Sequence, residues 1–170
     1  MVYNKTIRNT AHISPRLVKN LQWGFYSRRE SEKMKKRDIF ITQFDLDRLK
    51  NLIVEKKVTG GESVYLNDLG HELDRARIVE SKDIPGDVIT MNSKVRLKDL
   101  DAGEESVLFL VFPADANIEE GKISILAPVG TGMIGYRVGD VLEWKVPVGM
   151  RKLEILEILY QPEAAGDFHL

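Results

Sequence analysis

Cysteine is absent from all 170 residues. That excludes a disulfide framework, a thiolate nucleophile and a cysteine-based zinc site, and it fits a reducing, cytoplasmic setting. No apolar run approaches the ~20 residues that a bilayer crossing needs, so no membrane partner is expected. Histidine is scarce: His12, His71 and His169 are scattered and form no ligand cluster. Acidic residues are almost missing from one region, since residues 1–37 hold ten Lys/Arg against Glu30 and Glu32 alone. The chain as a whole carries a net charge of −1, so the body beyond that leader is acidic. With 43% hydrophobic and 30% charged residues, the composition is that of one globular core with an appended element.

The leader includes "LQWGFYSRRESEKMKKRD" (21–38), where Trp23, Phe25 and Tyr26 stand among Arg28, Arg29, Lys33, Lys35, Lys36 and Arg37. Bases interleaved with aromatics are suited to weak nucleic-acid contact through phosphates and stacking. The more ordinary reading is a solvated, disordered tail. It has no apolar h-region of a secretory signal. Met34, just ahead of the first patterned segment, is a second candidate start.

From 38 onward the pattern is helical, then extended. Leu46, Leu49 and Ile53 form a stripe in 45–57, with Thr42 or Asp45 as the cap. "VTGG" (58–61) breaks it, and Leu66, Leu69, Leu73 and Ala76 form a second stripe in 62–82. Two such stripes across a glycine turn predict a short antiparallel coiled-coil finger. Beyond "IPGD" (84–87) come strand candidates at 88–97, 105–112, 122–126, 141–146 and 152–160, with room for one short helix at 128–137. The expected class is α+β: a helical finger, then an antiparallel sheet with a short helix. Phe109, Phe112, Tyr136 and Trp144 are expected in the core of that sheet.

Several strings invite a catalytic reading. Gly130, Gly132 and Gly135 spell G-x-G-x-x-G after a strand-like run. A dinucleotide cradle needs a helix of several turns there and a parallel strand next. "RVGD" (137–140) makes another turn too soon for that, so the glycines are expected to serve close packing. "HELDR" (71–75) begins like a zincin motif but ends in Arg75, which leaves His71 as a solvent-facing helix residue. Asp68 and Glu72, four apart, are expected on a charged outer face.

The order of a short helical finger, "DVITMNSKV" (87–95), "ILAPVGTGMIGYRVGD" (125–140), "LEWKVP" (142–147) and "YQPEAAGDFHL" (160–170) resembles the Rnk family, regulators of nucleoside diphosphate kinase within the Gre transcript-cleavage-factor superfamily. The resemblance runs from about Ile39 to Leu170. It leaves out the basic leader at 1–37 and implies a helical hairpin at 38–83 and an FKBP-like, Gre-type domain at 84–170. Fold alone does not license prolyl isomerase activity.

The resemblance also implies a protein partner, RNA polymerase, bound beside its secondary channel. The Gre docking loop enters the short helix through Ser-Pro. The matching positions are Ala127 and Pro128, followed by Val129, with Met133 and Ile134 on the same helix. Ala127 lacks the hydroxyl. Gre factors stimulate transcript cleavage with acidic residues at the fingertip, which help hold a metal that activates water. Here the tip comprises Lys57, Thr59, Gly60, Gly61 and Glu62, with one carboxylate and no D-x-x-E pair. A non-enzymatic regulator is therefore expected, without cofactor, metal or small-molecule substrate. The alternative is a Gre-like elongation factor with residual cleavage activity through Glu62.

Overall fold

A computed structural model of the chain describes residues 39–59, 64–146 and 149–168. The leader 1–37, Gly60, Gly61 and Glu62 of the fingertip, and His169 therefore lie outside the described residues.

Strand β1 (Phe40–Ile41) leads into helix α1 (Gln43–Val58). Thr42 caps that helix, its hydroxyl oxygen accepting from the Asp45 amide at 3.1 Å, which satisfies one donor of the first turn. The expected stripe is buried at Leu46, Leu49 and Ile53. The helix ends at Thr59, whose hydroxyl donates back to the Glu55 carbonyl at 3.0 Å. Helix α2 (Val64–Asp74) buries Leu66, Leu69 and Leu73 in turn.

The second helix is shorter than the 62–82 its pattern predicts. Arg77–Ile78 leave it as strand β2, which pairs in parallel with β1. The Arg77 and Val79 amides donate to the Ile39 and Ile41 carbonyls at 2.7 and 3.1 Å. Backbone partners brought in from 38 residues earlier thus outcompete continuation of the helix, and β-branched Ile78 and Val79 suit the exchange. His71 is exposed as expected, but Glu72 is buried and ion-paired with Arg75 rather than on an outer face.

The second half is a five-stranded sheet in the order β5-β4-β3-β7-β6. Its strands are β3 (Lys94–Asp99), β4 (Glu105–Val111), β5 (Lys122–Ser124), β6 (Val141–Val146) and β7 (Gly149–Tyr160). Three of its four pairings are antiparallel. The pair β4–β5 is parallel, in register at Phe109↔Lys122, which departs from the all-antiparallel expectation. Two single-turn helices, Pro113–Asp115 and Ile118–Glu120, carry the chain back to the starting end of β4 before β5 begins.

Strand β3 also begins later than expected, at Lys94 instead of Val88. Thr90 and Ser93 close a local turn, the Thr90 amide donating to the Ser93 hydroxyl at 3.1 Å. Between them Asn92 takes a left-handed backbone with φ 59°. Side chain–backbone bonding of this kind competes with a ladder.

The core is one hydrophobic cluster that runs from the hairpin (Leu46, Leu49, Leu66, Leu69) into the sheet (Val95, Leu97, Leu108, Leu110, Leu153, Ile155). Alternation along β4 turns Leu108 and Leu110 inward, and Phe109 stands half-buried on the opposite face instead of in the core. Phe112 and Tyr136 pack partly buried against the cluster. The Trp144 side chain lies outside what is described.

Candidate functional site

The segment after β5 is shaped by its backbone. The Ala127 amide donates to the Ser124 carbonyl at 2.9 Å, and the Leu126 amide to the Ser124 hydroxyl at 3.1 Å, so the strand turns sharply. Ala127 caps helix α3 (Pro128–Met133) without a side-chain bond, and Pro128 occupies a first-turn position where a missing donor costs nothing. The Thr131 hydroxyl donates to the Ile125 carbonyl at 2.6 Å and ties the helix to the turn. A Cβ on Gly130 would overlap the Ser124 carbonyl, and one on Gly132 would stand 3.0 Å from Leu142. Gly135 has φ +77° and would meet Ile39 at 2.7 Å. The three glycines therefore let a short helix sink against the sheet and the hairpin base, and among the described residues no crossover helix or parallel strand follows.

That depth sorts the expected docking residues. Val129, Met133 and Ile134 are core, each 1% exposed or less. Ala127 and Pro128 are half-buried and reach the surface with Leu126, which the sequence reading did not single out. At the other end of the hairpin, Lys57 and Thr59 are exposed at the last turn of α1. Lys56 and Lys57 there complement the negative end of the helix dipole.

A second cluster was not foreseen, although its members lie in the quoted strings. Thr90 donates to the Glu163 carboxylate at 2.7 Å. Gln161 is buried, and its Nε2 donates to the Val88 and Pro85 carbonyls at 2.7 and 3.0 Å. Tyr160 donates to Asp167 at 2.6 Å, and that bond pushes the phenol up to about 12. "VITMNS" and "YQPEAAGD" are thus two sides of one joint, closed by helix α4 (Pro162–Ala165).

The hairpin enters the same joint through Asp45, which is buried with Oδ1 lacking a hydrogen-bond donor. Burial, reinforced by the Glu163 charge, raises the Asp45 carboxyl to about 6. Arg48, 3.7 Å away, and the Thr42 hydroxyl oppose that shift. Among the described residues no group of three or more His, Asp or Glu is arranged to hold a metal. No helix among them is long and apolar enough to cross a membrane.

A helical hairpin followed by a curled, mostly antiparallel sheet with a sunken Pro-led helix is the architecture of a Gre-type regulator. Residues 81–160 match the family model of the transcription elongation factor GreA/GreB C-terminus, and residues 37–79 match that of the Rnk N-terminus. A solved structure described as a prokaryotic transcription elongation factor GreA/GreB from Nitrosomonas europaea superposes with a TM-score of 0.64 at 39% identity. The match covers 72% of this chain and all of that one. The transcription elongation factor GreA of Clostridium botulinum (strain Langeland) is 37% identical over 114 residues, 67% of this chain and 68% of its own length. The regulator of nucleoside diphosphate kinase of Escherichia coli (strain K12) is 40% identical over 138 residues, 81% of this chain and 100% of that protein. The chain belongs to the Rnk family of regulators of nucleoside diphosphate kinase, within the Gre superfamily.

Proposed function

We propose that the protein is a non-catalytic transcription regulator that docks on RNA polymerase near its secondary channel and competes there with Gre-type factors. The observation that carries this reading is the pairing of a Gre-type C-terminal domain with a hairpin of short arms. At ~1.5 Å per residue, the 16-residue α1 and 11-residue α2 are about 24 and 16 Å long. The tip sequence adds Glu62 as its single carboxylate, which is too few oxygen ligands to bring a metal to a backtracked transcript. Docking falls to the surface around Ala127 and Pro128, with Val129, Met133 and Ile134 anchoring it from below. Control of nucleoside diphosphate kinase is the outcome this reading carries over from the relatives.

Competition binding tests it. Full-length protein should displace a labelled Gre factor from core polymerase at micromolar concentrations. Pro128→Glu should weaken displacement at least tenfold with an unchanged unfolding midpoint, because Pro128 is half-buried at a helix start and its loss leaves no core cavity. No displacement by the wild type would remove the proposal. Backtracked complexes should show no more cleavage with wild type than with Glu62→Ala.

A further inference from the structure

An open groove of about 570 Å³ runs between α1 and the sheet, lined by Phe44, Arg48, Asn92, Phe109, Asp115 and Tyr160 together with Val111. Its size is within the range of small-molecule sites. The groove is separate from the surface around Pro128; Val111, Tyr160 and Arg48 also have partners in the fold, but the exposure of Phe44, Phe109 and Asn92 is not explained by folding. Phe44 is 51% exposed on the first turn of α1. Phe109 points away from the core while its neighbours Leu108 and Leu110 fill it. Asn92 holds a left-handed backbone, and its carboxamide makes no hydrogen bond to the described residues. Its amide is tied to the Leu110 carbonyl at 2.7 Å, which keeps the side chain at the groove.

Two cations stand beside these rings. The Arg48 guanidinium lies 5.0 Å from the Phe44 ring centre and 4.0 Å from that of Phe112. The Lys94 ammonium lies 4.9 Å over Phe109, and Lys94 is the register partner of both Phe109 and Tyr160. No carboxylate pairs with Lys94 among the described residues.

Each part answers to one part of a single ligand class. Aromatic faces take a nucleobase by stacking. A free carboxamide offers a donor and an acceptor side by side, the pattern complementary to an adenine edge. Asp115, the one carboxylate in the lining, is the kind of group that accepts from ribose hydroxyls. Arg48 and Lys94 supply the charge for phosphate. We propose that this groove binds a nucleotide, with adenine preferred, its base against Phe44 and Phe109, its base edge at Asn92 and its phosphates at Arg48 and Lys94. Both a free nucleoside diphosphate and a nucleotide of a single RNA strand present this chemistry.

Titration calorimetry on the full chain with ADP, UDP, inorganic phosphate and an adenine-rich octaribonucleotide tests the assignment. ADP or the octamer should bind with a sub-millimolar Kd, tighter than UDP, and phosphate alone should not compete at equal concentration. Phe44→Ala and Asn92→Gly should each weaken binding about tenfold, as loss of one stacking or base-edge contact does. Neither should lower the unfolding midpoint, since Phe44 is exposed and glycine accepts the φ of 59° at position 92. ADP binding without the octamer identifies a free nucleotide as the ligand, and the reverse identifies RNA. No binding of either at millimolar concentration, binding unaffected by both substitutions, or full competition by phosphate would overturn the proposal.

Discussion

Gly70 in α2 and Gly130 in α3 are both helical glycines, and they meet opposite surroundings. A Cβ on Gly70 would touch nothing within 4 Å, whereas one on Gly130 would run into the Ser124 backbone. The hairpin is packed along one stripe and open elsewhere, and the ends of α1 are secured by Thr42 and Thr59. The helix after Pro128 has almost no open side: Val129 through Met133 are all buried. Caps and a stripe leave a helix free to change its outer face. Burial on all sides makes a helix a fixed mount, which suits a loop whose shape must be constant at a binding surface.

The largest effect that tests this contrast is Gly130→Ala. The added methyl must displace backbone, so stability should fall by about 3 kcal/mol or more, read from urea unfolding. A neutral result would mean that α3 is not sunk as described. Next comes Asp45→Asn at the hairpin base. The Asp45 carboxyl is raised to about 6 from its ordinary 3.8, so the folded state holds the proton more tightly. Its contribution is therefore fully present below about pH 4 and is lost as pH rises through 6. The asparagine variant should remove that slope and gain about 1–3 kcal/mol at pH 8, measured as unfolding free energy against pH. A slope of the same size in the variant would assign the titration elsewhere. The smallest effect is Gly70→Ala, which should stabilise by about 0.5–1 kcal/mol through helix propensity, seen as a modest rise in Tm. Loss of stability there would show a close neighbour on the open side of the hairpin.

The parts legible in the sequence are those written in short-range periodicity. Leu46, Leu49 and Ile53 announced one helix, and Leu66, Leu69 and Leu73 the other, because one stripe suffices to bury a surface helix. The failure of G-x-G-x-x-G as a cradle was legible from the turn at "RVGD". What escaped was set by partners far along the chain. Nothing local says that Arg77–Ile78 will leave a helix to pair with Phe40–Ile41, or that β5 will lie parallel to β4. Thr90 and Glu163 are 73 residues apart, so their joint shows only in the fold. The segment proposed for docking rests on family resemblance, and the depth of Met133 and Ile134 follows from glycine contacts that no spacing rule reports. Phe109 was misplaced because β4 is apolar on both faces, which hides its alternation.

The central strand β3 pairs with β7 at Lys94↔Tyr160, and its partner on the other side is the nearby β4. During synthesis, therefore, the sheet has to wait for almost the whole chain before its middle can be completed. The clasp of β1 on β2 needs only the residues up to Val79. Short-range closure is fast and long-range closure slow, so the topology favours a nascent hairpin that forms first and offers its leucines as the seed on which the sheet later condenses.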